Sequence, residues 1–262
     1  MPDIRLPEEI INWMTSLNWG EHHDEYHIVK RWDIWYHLAA QNDLEGKEVV
    51  AYIEANNWKR AKYQEGEPGD GLEFLAMHRA MLMMVKEEFP EHSSLFNGWK
   101  SPPTDPLEKE DPVVDGIEFD IKKSEGIQLI ETNPDFFLSQ DHFGIFIETT
   151  IQPTKENPNN RTSDTRYGVH NYLHNRWTDV NSPVNLGDPK VNIFNARFWK
   201  LHGWIDNAWT NYRREAGLND EDPAYKSQID YYIHMMQGHH HISKSNKIEI
   251  ERPQRLKSFF KN

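Results

Sequence analysis

His170 and His174 stand four residues apart, one helical turn, so on a helix both imidazoles project from the same face. His202 and Asp206 repeat that spacing further along the chain. Three imidazoles from two helices, with a carboxylate one turn behind the third, meet the needs of a metal built inside a helix bundle. The carboxylate is of the type that holds a ligating ring in one tautomer and orientation. By itself an H-x-x-x-H pair is weak, and the aromatic stripe Phe198, Trp199, Trp204 and Trp209 reads as core. Their combination in this order is more specific.

That order resembles the second copper-site motif of the tyrosinase and catechol oxidase family of type 3 copper proteins. The residues that carry the likeness are His170–Asn171, His174, the pair Phe198–Trp199, His202 and Asp206. Where the family usually has Asp-Pro before the aromatic pair, this chain has Asn195–Ala196. A second likeness lies upstream. Phe74, His78, Arg79 and Leu82 match the helix that supplies the third ligand of the family's first copper site. The family's middle ligand would fall at Gly69, which has no ligating side chain. The nearest imidazoles are His23 and His27, again one turn apart, with His37 as the competing choice. His23 and His27 with His78 would mirror the second site.

The resemblance implies a mainly α fold. It would be an antiparallel four-helix bundle carrying His27, His78, His170 and His202 inward around two coppers. It also implies a copper- and dioxygen-dependent oxidoreductase that turns o-diphenols or o-aminophenols into quinone-type products. Neutral imidazole suits copper, which tops the affinity order of divalent ions at nitrogen sites. Family monophenolases pair the Asn after the first ligand of the second site with a Glu, and the two hold a water that deprotonates the phenol. Asn171 is present, but the Glu position is Thr162, with Asp164 as the closest acid. Monooxygenase chemistry on monophenols is therefore disfavoured and oxidation of diphenols preferred. Three alternatives stay open: an oxygen or copper carrier without turnover, a single-metal site (zinc included), and a degenerate binding module. The expected partners are a small phenolic or aminophenolic substrate and dioxygen, with room for a copper-delivery protein.

Composition narrows the field. A formal net charge of −13 over 262 residues argues against nucleic acid and anionic membranes as partners. There is no cysteine, which excludes disulfides, thiolate ligands and the Cys–His thioether that some members of the resembled family carry. The opening MPDIRLPEEI is acidic without an apolar run, and no stretch approaches a membrane span, so a cytoplasmic protein is expected. Ten Trp, ten Tyr and twelve Phe can wall a water-excluding pocket.

Apolar periodicity predicts helices over Leu6–Leu17, Asp24–Ala40, Lys47–Lys62 and the Leu72–Phe89 stretch, the last stopped by Pro90. A final helix is predicted over Glu221–Gln237. Residues 100–160 open on four prolines and then alternate apolar and polar residues, which predicts a loop with a small β insertion. That insertion would consist of a hairpin in DGIEFDIKKSEGIQLIETN and a third strand in FGIFIETTI. Residues 239–262 read as a polar tail, and the His239–His241 run in it as exposed rather than metal-binding. Without repeats or linkers, residues 1–262 form one domain.

Overall fold

The computed structural model describes residues 4–103, 119–239 and 250–261. The helices in chain order are α1 Glu8–Ser16, α2 Trp19–Lys30, α3 Trp32–Ala40, α4 Leu44–Ala55 and α5 Asp70–Glu88. They continue with α6 Ile121–Thr132, α7 Gln140–Glu148, α8 Val169–Arg176, α9 Ala196–Glu215 and α10 Pro223–His234. The fold is mainly helical, as expected. No helix among the described residues is long and apolar enough to cross a membrane.

Local chemistry starts and stops these helices. Asp43, Asn195 and Asp222 each accept a backbone N–H at the start of α4, α9 and α10. Gly69 (φ 102°) and Gly168 (φ 75°) turn the chain into α5 and α8 in a left-handed conformation that glycine adopts without strain. Helix α5 stops before Pro90, as its sequence predicts.

The β insertion is not formed among the described residues. The alternating stretch after Asp120 is α6, started by the Asp120 side chain on the Lys122 amide. Lys123, Gly126, Ile127 and Ile130 are its buried residues, a helical spacing hidden within the alternation. Gly126 is no turn residue: a Cβ there would lie 2.5 Å from the Arg166 carbonyl oxygen. FGIFIETTI is mostly α7, capped by Ser139 and buried from Phe143 to Glu148. A continuous apolar run does not distinguish a buried strand from a buried helix. Among the described residues the β pairing is two isolated bridges, Arg5 with Asn195 and Ile151 with Arg161.

Two further expectations change. The helix expected over Asp24–Ala40 is broken at Arg31, whose guanidinium pairs with the buried Glu65 carboxylate and donates to the Phe259 carbonyl. The tail expected over 239–262 is not uniformly polar and free. Leu256, Phe259 and Phe260 are buried in a small core with Ile28, Trp35, Val49 and Ile53. The side chains of the His239–His241 run lie outside the described residues.

Helix α5 is buried on nearly every side, from Phe74 to Val85, and so runs through the main core. It packs most closely on α7. A Cβ on Gly144 would lie 2.1 Å from the Gly71 carbonyl oxygen, so the two backbones touch. The Asp141 carboxylate on α7 accepts from the Gly69 and Leu72 amides, which fixes the start of α5. Gly144→Ala should therefore lower stability by about 2 kcal/mol through overpacking, despite alanine's better helix propensity. Denaturant unfolding checks this; an unchanged or raised midpoint would mean that the helices separate at no cost.

Candidate metal centre

Four helices deliver six histidines to one place. His23 and His27 come from α2, His78 from α5, His170 and His174 from α8, and His202 from α9. All six are buried, none more than 4 % exposed. They form two triads, His23–His27–His78 and His170–His174–His202, and in each triad the three candidate ligand atoms lie within 4.8 Å of one another. The triads adjoin. His78 stacks on His202 with ring centroids 4.2 Å apart, and His27 lies nearly parallel to His170 at 6.2 Å.

The outer nitrogens fix the tautomers. His23 Nδ1 lies 2.6 Å from the Pro189 carbonyl oxygen, and His174 Nδ1 lies 2.8 Å from that of Leu186. His78 and His202 each turn Nδ1 back onto the carbonyl one turn earlier in their own helix, Phe74 at 2.8 Å and Phe198 at 2.7 Å. His170 Nδ1 meets Asn171 Oδ1 at 3.0 Å. A carbonyl oxygen only accepts, so these five Nδ1 atoms carry the proton.

The rings themselves are neutral. Burial strips water from the imidazolium and pulls His23 down to about 4 and His174 to about 3. The same cause holds His27, His78, His170 and His202 well below the ordinary value of 6.5. A neutral ring with hydrogen on Nδ1 has a bare lone pair on Nε2.

Those lone pairs point inward. His170 Nε2 and His202 Nε2 face each other at 3.2 Å, and both Nδ1 atoms are already committed. Two lone pairs at that distance repel unless a cation lies between them. The separation suits two ligands on one ion with metal–nitrogen bonds of about 2 Å. His78 Nε2 and His174 Nε2 are buried and have no hydrogen-bond partner among the described residues. In the first triad His23 Nε2 meets His27 Nε2, also at 3.2 Å. The donor set thus fits a metal in each triad. Three imidazoles suit copper, zinc, iron or nickel and leave a coordination position open.

Aromatic side chains wall the centre. Phe198 lies 3.9 Å from the His202 ring and Phe74 4.9 Å from His170. Phe260, from the C-terminal segment, stacks on His174 at 4.2 Å and meets His27 and His170 edge-on, each at 5.3 Å. Nothing in the polar composition of that segment signalled its role; the adjacent Phe259–Phe260 pair was the available clue.

Three candidate residues are engaged elsewhere. His37 lies on α3, beyond the break at Arg31, where its Nε2 meets Gln41 and it lines a separate cavity of about 680 Å³. Asp164 is held by the Arg166 guanidinium, which also keeps its carboxyl below the usual range. Asp206 does not orient His202, whose Nδ1 is taken by Phe198. Its carboxylate instead binds Arg79 of α5 at 2.5 Å, and Arg79 also donates to Tyr225 and Thr210. Asp206→Asn should therefore cost about 1–3 kcal/mol of stability and leave metal affinity within twofold. Thermal unfolding and a copper titration separate the two effects, and an affinity loss without a stability loss would restore the role expected from sequence.

One cluster escaped the sequence reading. Lys30 Nζ binds Asp70 at 2.5 Å and Glu73 at 2.7 Å, and Glu148 is buried beside them. Burial, with the Asp70 carboxylate nearby, pushes the Glu148 carboxyl well above the usual carboxylate range. Asp70 and Glu73 share a face of α5, but Lys30 comes from α2 and Glu148 from α7, and no sequence spacing relates those to the pair. No protein-family model matches the chain, and no match was found among curated proteins.

Proposed function

We propose that the protein is a copper-dependent oxidoreductase that uses dioxygen to oxidise o-diphenols or o-aminophenols. The observation that carries this reading is the convergence of Nε2 lone pairs from two adjacent, buried, neutral histidine triads. His23, His27 and His78 would hold one copper, and His170, His174 and His202 the other. The copper pair supplies dioxygen binding and the redox chemistry. The likeness of the His170–Asp206 stretch to the type 3 copper motif supports copper over other metals.

The chain's own residues set geometry and environment. The backbone carbonyls of Phe74, Leu186, Pro189 and Phe198 lock the rings of His78, His174, His23 and His202, so these four imidazoles are presented in the ligating tautomer. Phe74, Phe198 and Phe260 pack against the buried rings of both triads. No free carboxylate stands at Thr162 or Asp164 to take a phenol proton, because Arg166 engages Asp164. Diphenols are accordingly the preferred substrates, since they are stronger acids than monophenols and can chelate.

The test is reconstitution with copper followed by oxygen-uptake measurements. Two coppers per chain and faster uptake with catechol than with tyramine are expected. Two bound coppers with no uptake on either substrate would make the protein a carrier, and one bound metal would remove the dinuclear reading.

A further inference from the structure

One short loop serves both triads. Between α8 and α9 the Leu186 carbonyl accepts from His174 Nδ1 at 2.8 Å, and the Pro189 carbonyl accepts from His23 Nδ1 at 2.6 Å. Leu186 thereby holds a ring of the second triad, and Pro189, three residues later, a ring of the first. His78 and His202, by contrast, bond carbonyls of their own helices. A helix carries such a bond with it wherever it goes. The Nδ1 bonds of His23 and His174 persist only while the loop stays where it is.

The C-terminal segment holds the loop. Asn185 Nδ2 donates to the Lys257 carbonyl at 2.6 Å, and the Phe259 amide donates to the Gly187 carbonyl at 2.9 Å. The Asp188 carboxylate accepts from Arg252 at 2.8 and 3.1 Å. The same guanidinium donates at 2.7 and 2.9 Å to Asp24, the residue after His23 on α2. Both aspartates are buried, and forked guanidinium–carboxylate pairs fix direction as well as distance. Arg252 thus ties the loop to the helix that carries the first triad. The loop also touches that helix directly. A Cβ on Gly20 would lie 2.5 Å from the Lys190 carbonyl oxygen, and Lys190 Nζ pairs with Glu21 at 2.9 Å.

We propose that Arg252 is a positioning residue for both metal sites: by clamping loop 185–189 to α2 it holds one ring of each triad in the ligating tautomer, and so couples the loading of the two sites. A metal in either triad fixes its own ring, and through that ring one carbonyl of the shared loop. Less is then left to order when the second metal binds, and coupling of this kind is reciprocal. The C-terminal segment is by this route part of the metal centre, although it supplies no ligand to either triad. This role rests on the triads as metal sites and not on copper or on oxidation.

The first readout needs no metal. Imidazole Nδ1 protons that are buried and hydrogen-bonded exchange slowly with water, and nitrogen-edited NMR spectra at neutral pH resolve them. Arg252→Gln should speed exchange at His23 and His174 by about tenfold or more and leave His78 and His202 within about twofold. General destabilisation would move all four alike. The second readout is calorimetric titration with zinc. Arg252→Gln should weaken both sites by about tenfold or more, the range for groups that orient a ligand, and remove their cooperativity. Arg252→Lys, which keeps the charge without the fork, should restore part of both effects. Asp206→Asn, expected to lower stability and spare metal affinity, is the control. Where Arg252→Gln fails to fold, Asp188→Asn serves in its place: Arg252 stays paired with Asp24, no buried charge is orphaned, and the changes should run in the same direction. Equal exchange at all four rings, weakening of one site alone, or zinc affinity unchanged from the wild type would overturn the assignment. Selective loss at His23 and His174 in a chain that takes up neither zinc nor copper would keep the clamp as the device that orients the rings and remove the metal reading instead.

Discussion

His174→Ala should reduce bound copper from two ions per chain to one and abolish dioxygen-dependent oxidation of catechol. The Nε2 lone pair of His174 is buried without any other partner among the described residues, and the remaining pair, His170 and His202, makes a two-ligand site. The loss of affinity at that site should exceed ~100-fold, beyond the range for residues that only orient a ligand. His27→Ala should do the same to the other triad. Because His78 stacks on His202 and His27 lies parallel to His170, each loss should also perturb the spectrum of the metal that stays. The helical circular dichroism should be nearly unchanged, since the surrounding Trp- and Phe-rich core is intact. If both variants retain two tightly held coppers, the ligand assignment is wrong.

Acid should unfold the metal-free protein at a pH where most domains are stable. Above about pH 6.5 the imidazoles are neutral both folded and unfolded, so they contribute no pH dependence. Below it the unfolded rings take up protons that the native rings refuse, down to about pH 4 for His23 and about pH 3 for His174. The folded pKa lies below the unfolded one, so stability is full above about 6.5 and is lost as pH falls toward those values. At pH 5 these two rings alone cost about 2 kcal/mol each, and His27, His78, His170 and His202 act in the same sense. Set against a typical domain stability of roughly 5–15 kcal/mol, that places the metal-free midpoint near about pH 5. Copper, which binds only the neutral rings of the native state, should shift the midpoint to lower pH. Paired pH titrations with and without chelator read this directly. A metal-free chain that keeps its near-ultraviolet signal to pH 4 would show that the rings take up protons while folded.

Much of the site was legible because its signals are local. A four-residue spacing places two imidazoles on one helical face wherever the helix goes, which is why His23 with His27 and His170 with His174 could be paired in advance. The helix stop at Pro90 is equally local. The choice between His23 and His37 was not local. It turned on the break at Arg31, and that break accompanies pairing with Glu65 and Phe259, 34 and 228 residues away.

The same limit explains the other differences. The stretches that form α6 and α7 are consistent with both strand and helix periods, and contact with the Arg166 carbonyl and with Gly71 accompanies the helical outcome. Asp206 sits one turn from His202, yet a guanidinium on another helix takes it, because a charged partner outcompetes a neutral ring that already has a carbonyl. Composition excluded thiolate chemistry outright, and spacing singled out the imidazoles. Which nitrogen of each ring faces inward, how the two triads stack, and what closes them on the Phe260 side follow from backbone carbonyls and side chains distant in sequence. Those contacts exist only once the chain has folded, so no window of sequence contains them.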